Sequence, residues 1–334
     1  MAIKKPNIRS IYIKLGSACN LHCKYCHIES TNCKFNPKIL PVLKEMGLAQ
    51  VSFGGGEPLL YWDTIKEIVT YLGKGIRYRI VTNGTLFTPE IVDFCNEYNF
   101  VTFISLDGIH STRDNSKPIQ WDLIKKLTFA GTAVTFYREN QDIRKTLESL
   151  HDIKDKYLSI SPQIYSSFPN FVHSTDKTGV LSDKALADSY VTQMSELLEE
   201  SFAIYKAKGI AVVFLKRCFD EFMRVKRMNG VYCCNDRTIA ILADGTICLC
   251  PYTLDNVGDI FHLDNIDWQR IERDYRRPQC KECELFTICG NRCCKDITDN
   301  LCYITRKMHS KMKELMELHH LSYEELDKVC VNKR

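Results

Sequence analysis

Residues 10–26 read SIYIKLGSACNLHCKYC, a strand pattern running straight into a cysteine loop. Its first half, Ser10–Leu15, alternates at the period of a strand. Its second half sets Cys19, Cys23 and Cys26 on a loop that follows the strand at once. Three thiols in so short a loop can hold three irons of an iron–sulfur cube, since thiolate is the usual ligand of such clusters, and leave the fourth iron open. Zinc suits the triple poorly, because it takes four ligands and favours paired C-x2-C knuckles.

Outward from this stretch, the unit of strand followed by glycine-rich or polar turn recurs. Val51–Phe53 ends in Gly54-Gly55-Gly56, Tyr78–Thr82 in Asn83-Gly84, and Phe100–Leu106 in Asp107-Gly108. Thr132–Tyr137 and Ser159–Tyr165 continue the series. Between them lie helical patterns at Pro37–Met46, Thr64–Leu72, Trp121–Phe129 and Ile143–Tyr157, with another that Thr88 caps ahead of Pro89 and Glu90. Strict alternation predicts a parallel sheet with right-handed crossovers, here a partial (β/α)6 TIM-like barrel. The site is expected at the C-terminal ends of the strands, where the polar turns gather.

The chain has 334 residues, 45 lysines and arginines against 41 aspartates and glutamates, and a net charge of +4. That balance makes no case for nucleic acid. No apolar run is long enough for a membrane span, and the basic start, MAIKKPNIRS, is followed by no apolar signal core. A cytoplasmic, reducing setting is expected, where grouped cysteines point to metal. There are 17 cysteines, and eleven of them lie beyond residue 230. Cys33, Cys95 and Cys218 stand apart and read first as packed core thiols. Long helices are expected at Leu181–Lys208 and Phe214–Arg227, and a closing one at Thr305–His319. The expected division is a barrel with a helical extension over 1–228 and a small cysteine-rich C-terminal domain over 229–334.

The triple after the first strand resembles the radical S-adenosylmethionine (SAM) superfamily, and other motifs follow in the family's order. Gly55-Gly56-Glu57-Pro58 matches the turn that holds the SAM amino group, Thr82-Asn83-Gly84 ends strand three, and Ser105-Leu106-Asp107-Gly108 matches the turn near the ribose. Tyr25 stands at the aromatic position beside the adenine. A carboxylate and close-approaching backbone carbonyls suit an ammonium, and glycines permit the approach. The family's carboxylate clamp has two candidates here, Arg113 and Lys117. The resemblance covers roughly residues 8–165. It implies reductive cleavage of SAM to a 5′-deoxyadenosyl radical, with an electron donor such as flavodoxin or ferredoxin.

The C-terminal series Cys280-x2-Cys283-x5-Cys289-x3-Cys293 with Cys302, preceded by Cys234 and Gly245-x4-Cys250, resembles the SPASM domain of auxiliary clusters. That resemblance implies two further [4Fe–4S] clusters, an outer one on Cys280, Cys283, Cys289 and Cys302 and an inner one on Cys234, Cys250 and Cys293. Cys248 or Cys233 would be the eighth ligand. Zinc ribbons share some of these spacings, so a non-catalytic zinc-binding protein is the alternative of another class.

SPASM relatives mostly act on ribosomally made peptides, by crosslinking, epimerisation or oxidation of a sulfatase residue. Strand one begins near residue 10, so leader-peptide binding, if any, is expected to use a separate protein or the core itself. Sulfatase-maturing relatives carry an aspartate after the cysteine of G-x4-C; here that neighbour is Pro251, with Asp255 and Asp259 nearby. Sulfatase-type maturation and small-molecule dehydrogenation are therefore the alternatives to crosslinking or epimerisation. An epimerase would need a thiol hydrogen donor, for which Cys218, Cys233 and Cys33 are candidates.

Overall fold

The computed structural model describes residues 8–23, 26, 28, 30, 31, 33–106, 114, 116–133, 135, 136, 141–146, 170, 171, 183–223, 238–248, 256–268, 280, 282–289 and 299–330. The elements in order are β1 (Ser10–Lys14), α1 (Ile39–Glu45), β2 (Gln50–Gly54), a 3-10 turn (Pro58–Tyr61), α2 (Trp62–Leu72), β3 (Arg77–Thr82), α3 (Pro89–Glu97), β4 (Val101–Ser105), α4 (Trp121–Ile124) and β5 (Ala130–Ala133). Then come β6 (Thr135–Phe136), β7 (Asn170–Phe171), α5 (Lys184–Lys208), α6 (Val213–Phe222), β8 (Thr238–Leu242), β9 (Thr246–Cys248) and β10 (Asn256–Asp259). A second 3-10 segment (Ile260–Asn265) and the helices α7 (Phe286–Cys289), α8 (Asp299–Leu318) and α9 (Tyr323–Cys330) complete the described chain.

One open sheet of eight strands runs in the order β10-β9-β8-β1-β2-β3-β4-β5. From β8 to β5 every pairing is parallel, while β9 and β10 turn back antiparallel. The parallel core is the (β/α) arrangement that the alternation implied. The sheet also takes in the cysteine-rich segment: Ile11 pairs with Ile239 and Ile13 with Ile241. The expected strand at Ser159–Tyr165 lies outside the described residues, as does the helix expected over Ile143–Tyr157 beyond its first turn.

The face covered by α1–α3 is apolar and continuous. Ile11, Ile13, Val51, Phe53, Ile80 and Ile104 pack there with Ile65, Ile68 and Ile239, all at most 1% exposed. Burial of each such side chain is worth about 1.5–3 kcal/mol. Thr88 begins α3 as expected, its Oγ1 accepting from the Ile91 N–H at 3.3 Å. A second apolar cluster joins α5, α6, α8 and α9 around Tyr190, Met194, Phe202, Phe219 and Met308.

Three local expectations are corrected. The helix at Trp121 stops at Ile124 instead of Phe129, because Asn96 takes over the backbone beyond it. Its side chain donates to the Lys126 carbonyl (2.9 Å) and accepts from the Thr128 N–H (2.7 Å), and the Phe129 carbonyl already pairs with Thr102. Strand β5 consequently begins at Ala130, ahead of the expected Thr132. Helix α9 was not anticipated, although its signal is present. Ser322 and Glu325 form a reciprocal capping box, with Ser322 N–H to Glu325 at 2.7 Å and Glu325 N–H to Ser322 Oγ at 3.2 Å.

Candidate active site at the strand ends

The loops after β1 and β2 are laced together by backbone hydrogen bonds. Leu15 N–H donates to the Gly54 carbonyl (3.0 Å), Gly56 N–H to Gly16 (3.0 Å) and Glu57 N–H to Ala18 (2.8 Å). So close an approach excludes side chains. A Cβ on Gly55 would stand 2.2 Å from the Gly16 oxygen, and one on Gly56 2.1 Å from the Ala18 oxygen. Gly55 also has φ +143°, open to glycine and strained for anything else. Tyr61, on the turn that Pro58 starts, fills the space over Gly16 and accepts the Ala18 N–H at 3.0 Å through its hydroxyl.

Glu57 lies beneath this junction at 1% exposure. Its carboxylate accepts from the Leu59 N–H (3.0 Å), the Thr82 hydroxyl (2.6 Å) and the Asn83 N–H (2.7 Å). The Glu57 side chain thus fixes the end of β3 against the turn after β2. From there a polar chain reaches the cysteine loop. The Asn83 amide donates to Asn20 Oδ1 at 2.8 Å, and the Asn20 amide donates to Thr85 Oγ1 at 2.9 Å. Thr85 in turn donates to Asn83 Oδ1 at 2.7 Å.

Cys19 and Cys23 are half-buried and Cys26 is exposed on this loop. The Cys19 sulfur accepts from the Leu21 N–H at 3.4 Å and stands 4.0 Å from the Asn83 amide nitrogen. Burial raises the Cys19 thiol above its ordinary pKa; the Leu21 hydrogen bond opposes this, and the nearby Glu57 and Cys26 add to it. Ser17 closes the loop on itself, donating to the Thr31 carbonyl (3.3 Å) and accepting the Thr31 N–H (3.0 Å). Among the described residues no three His, Cys, Asp or Glu side chains already stand at chelating spacing. The donor set nevertheless fits an iron–sulfur cube. Three thiols share one closed loop, and N–H groups already point at the sulfur of the first, the contact that steadies a cluster thiolate.

A further tether comes from beyond β4. Asp114 accepts the His22 N–H (2.8 Å) through one oxygen and the Ser116 N–H (2.8 Å) through the other. The Ser116 hydrogen bonds, then that from His22, lower its carboxyl pKa to about 2. Ser105 ends β4 half-buried, and Lys117 is exposed. Tyr25, Asp107 and Arg113 lie outside the described residues. Sequence reasoning missed Asn20, Tyr61, Thr85 and Asp114. Their roles depend on which strand ends become neighbours, and no local pattern carries that information.

In the C-terminal segment, Cys248 is 1% exposed in β9 and Cys280 is buried, while Cys283 and Cys302 are half-buried. The backbone of Cys289 ends α7. Cys233, Cys234, Cys250 and Cys293 lie outside the described residues. Cys218 is 0% exposed among Leu215, Phe219 and Phe222 in the helical cluster, a packed core thiol. Asp259 caps the 3-10 segment through the Phe261 N–H at 2.9 Å and also meets the His262 ring. Asp255 lies outside the described residues. Among the described residues no helix is long and apolar enough to cross a membrane.

Comparison with known proteins agrees with this geometry. Residues 13–156 match the radical SAM superfamily. The chain is 30% identical, over 36% of its length, to the radical SAM cyclopropyl synthase TigE of Paramaledivibacter caminithermalis, and that match covers 32% of the relative. It is 23% identical over 86% of its length to the cysteine-type anaerobic sulfatase-maturating enzyme of Clostridium perfringens, covering 90% of that protein. The chain spans less than half the length of the first two curated relatives it matches. Among solved structures, anSMEcpe with bound AdoMet superposes with a TM-score of 0.67 at 17% identity, over 93% of this chain and 99% of that one. The same protein has also been solved with AdoMet and the Cp18Cys peptide. The fold is that of anSMEcpe, and residues 13–156 carry the match to the radical SAM superfamily.

Proposed function

We propose that this chain modifies a ribosomally made peptide by radical SAM chemistry, through crosslinking or epimerisation that begins with hydrogen abstraction. The observation that carries the reading is the hydrogen-bonded junction of cysteine loop, Gly55-Gly56-Glu57-Pro58 turn and Thr82-Asn83-Gly84 turn at one set of strand ends. Cys19, Cys23 and Cys26 would hold the SAM-binding cluster. The cluster, when bound, supplies the electron for reductive SAM cleavage. Glu57 holds Thr82 and Asn83 in place, and the crossing backbones at Gly16, Gly55 and Gly56 leave no room for side chains in the turn. The carbonyls of that turn, with Asn83 and Ser105, are the groups we assign to SAM; Tyr25, Asp107 and either Arg113 or Lys117 complete the assignment.

Auxiliary clusters on Cys280, Cys283, Cys289 and Cys302, and on Cys234, Cys250 and Cys293 with Cys248 or Cys233, belong to the same proposal. So do a flavodoxin- or ferredoxin-type electron donor and a separate leader-binding protein. The peptide-bound structure of anSMEcpe supports a peptide as the substrate class. For an epimerisation the hydrogen donor would be drawn from Cys218, Cys233 and Cys33, of which Cys218 is 0% exposed in the helical core.

The test is anaerobic reconstitution. About eleven to twelve irons per chain with matching sulfide are expected, together with SAM cleavage to 5′-deoxyadenosine that Cys23→Ala abolishes. Cleavage surviving in that variant, or zinc in place of iron, would sink the reading. A sulfatase-type maturation is the second reading, favoured by the match across most of the Clostridium perfringens enzyme. Against it, Asp259 is committed to capping. Conversion of a sulfatase-derived cysteine peptide to an aldehyde would decide for that reading; a mass change only in a short peptide encoded beside this gene would decide against it.

A further inference from the structure

Helix α8 carries Cys302 in its first turn and Arg306 four residues later, on the same face. The Arg306 guanidinium reaches across to the 280–289 segment, where its Nη2 lies 3.4 Å from the Cys283 sulfur. Its Nη1 lies 3.9 Å from the Glu284 carboxylate. Cys283 is held by a turn in which the Phe286 N–H donates to its carbonyl at 3.0 Å. A single arginine therefore ties the start of α8, with Cys302, to the turn with Cys280 and Cys283.

We infer that Arg306 is a positioning residue that sets the reduction potential of the outer auxiliary cluster by hydrogen-bonding the Cys283 sulfur. The inference rests on the proposed auxiliary-cluster ligands. Reduction adds one negative charge to a cluster. A donor to a ligand sulfur and a fixed positive charge both favour the reduced form, which moves the midpoint upward. The Arg306 side chain is 55% exposed, so solvent screens its charge and the directed N–H···S contact carries more of the effect. Glu284, 3.9 Å away and itself exposed, offsets part of the charge. Lysine keeps the charge without the planar fork.

The test uses full-length protein in which Cys19, Cys23 and Cys26 are alanine, so that only auxiliary clusters remain. Arg306, Arg306→Lys and Arg306→Met forms are reconstituted anaerobically, assayed for iron and sulfide, and titrated potentiometrically by electron paramagnetic resonance. The expected result is unchanged iron, one midpoint displaced to more negative potential in Arg306→Met, a smaller displacement in Arg306→Lys, and the other midpoint unmoved. Coincident midpoints at equal iron would overturn the inference. So would iron loss in both variants, since Arg306 would then only hold the chain together. Cys302→Ala separates the two levels: if it costs no iron, the auxiliary-cluster assignment itself fails and the inference goes with it.

Discussion

At the scale of single residues, burial and hydrogen bonding divide the ionisable groups by task. Glu57, on the turn after β2, accepts hydrogen bonds from both Thr82 and Asn83 at the end of β3. Removing it leaves the Thr82 hydroxyl and the Asn83 N–H without their acceptor, at about 1–3 kcal/mol each for groups that stay buried. Glu57→Ala is expected to lower the thermal midpoint and weaken SAM binding, measured by calorimetry, while iron absorbance persists; loss of the cluster would show that Glu57 holds the cysteine loop itself. The thiols divide in the same way. Burial pushes Cys95 and Cys330 up to about 12, so both stay protonated in the folded chain at pH 8.5. Alkylation of metal-free protein read by mass spectrometry is expected to label exposed Cys26 and spare Cys95 and Cys330. The unfolded chain releases these protons near the ordinary value of 9.0, while the folded chain holds them to about 12. Stability should therefore fall as the pH rises through that window.

At the scale of elements, glycines of similar backbone geometry carry different weight. Gly47 and Gly55 both have positive φ, yet a Cβ at Gly47 meets nothing within 4 Å, while one at Gly55 meets the Gly16 carbonyl at 2.2 Å. Gly47→Ala is expected to cost about 1–2 kcal/mol of backbone strain. Gly55→Ala must also part the β1 and β2 loops, and should cost more in chemical denaturation and abolish SAM binding. Equal losses for the two variants would mean that the junction yields. The shortened α4 makes a related point: an asparagine from the preceding helix ended it by supplying partners to the backbone that continued helix would have used.

At the scale of the whole molecule, the cysteine-rich segment is part of the sheet that carries the site. Strand β8 covers the edge of β1, burying Ile239 and Ile241 in the same core as Ile11 and Ile13. Helix α8 likewise packs along α5. A chain truncated after residue 228 would leave β1 as an open edge and strip α5 of its cover. It is expected to aggregate, read by size-exclusion chromatography, because an exposed apolar edge strand pairs with other chains. A soluble, monomeric fragment with native thermal cooperativity would show that the barrel stands without β8.

Read alone, the residues were enough for the parallel (β/α) core, for the cysteine triple that follows β1 and for the Thr88 cap. These are written in local periods, turn residues and short spacings, which read the same in any surroundings. It took the folded chain to show that β8 joins β1, that Glu57 clasps the end of β3, that Asn20 meets Asn83, that Asp114 holds the His22 amide, and that Arg306 reaches Cys283. Those contacts join residues 23 to more than 200 positions apart. They form because burial brings strand ends and helix faces together and then obliges each polar group there to find a partner.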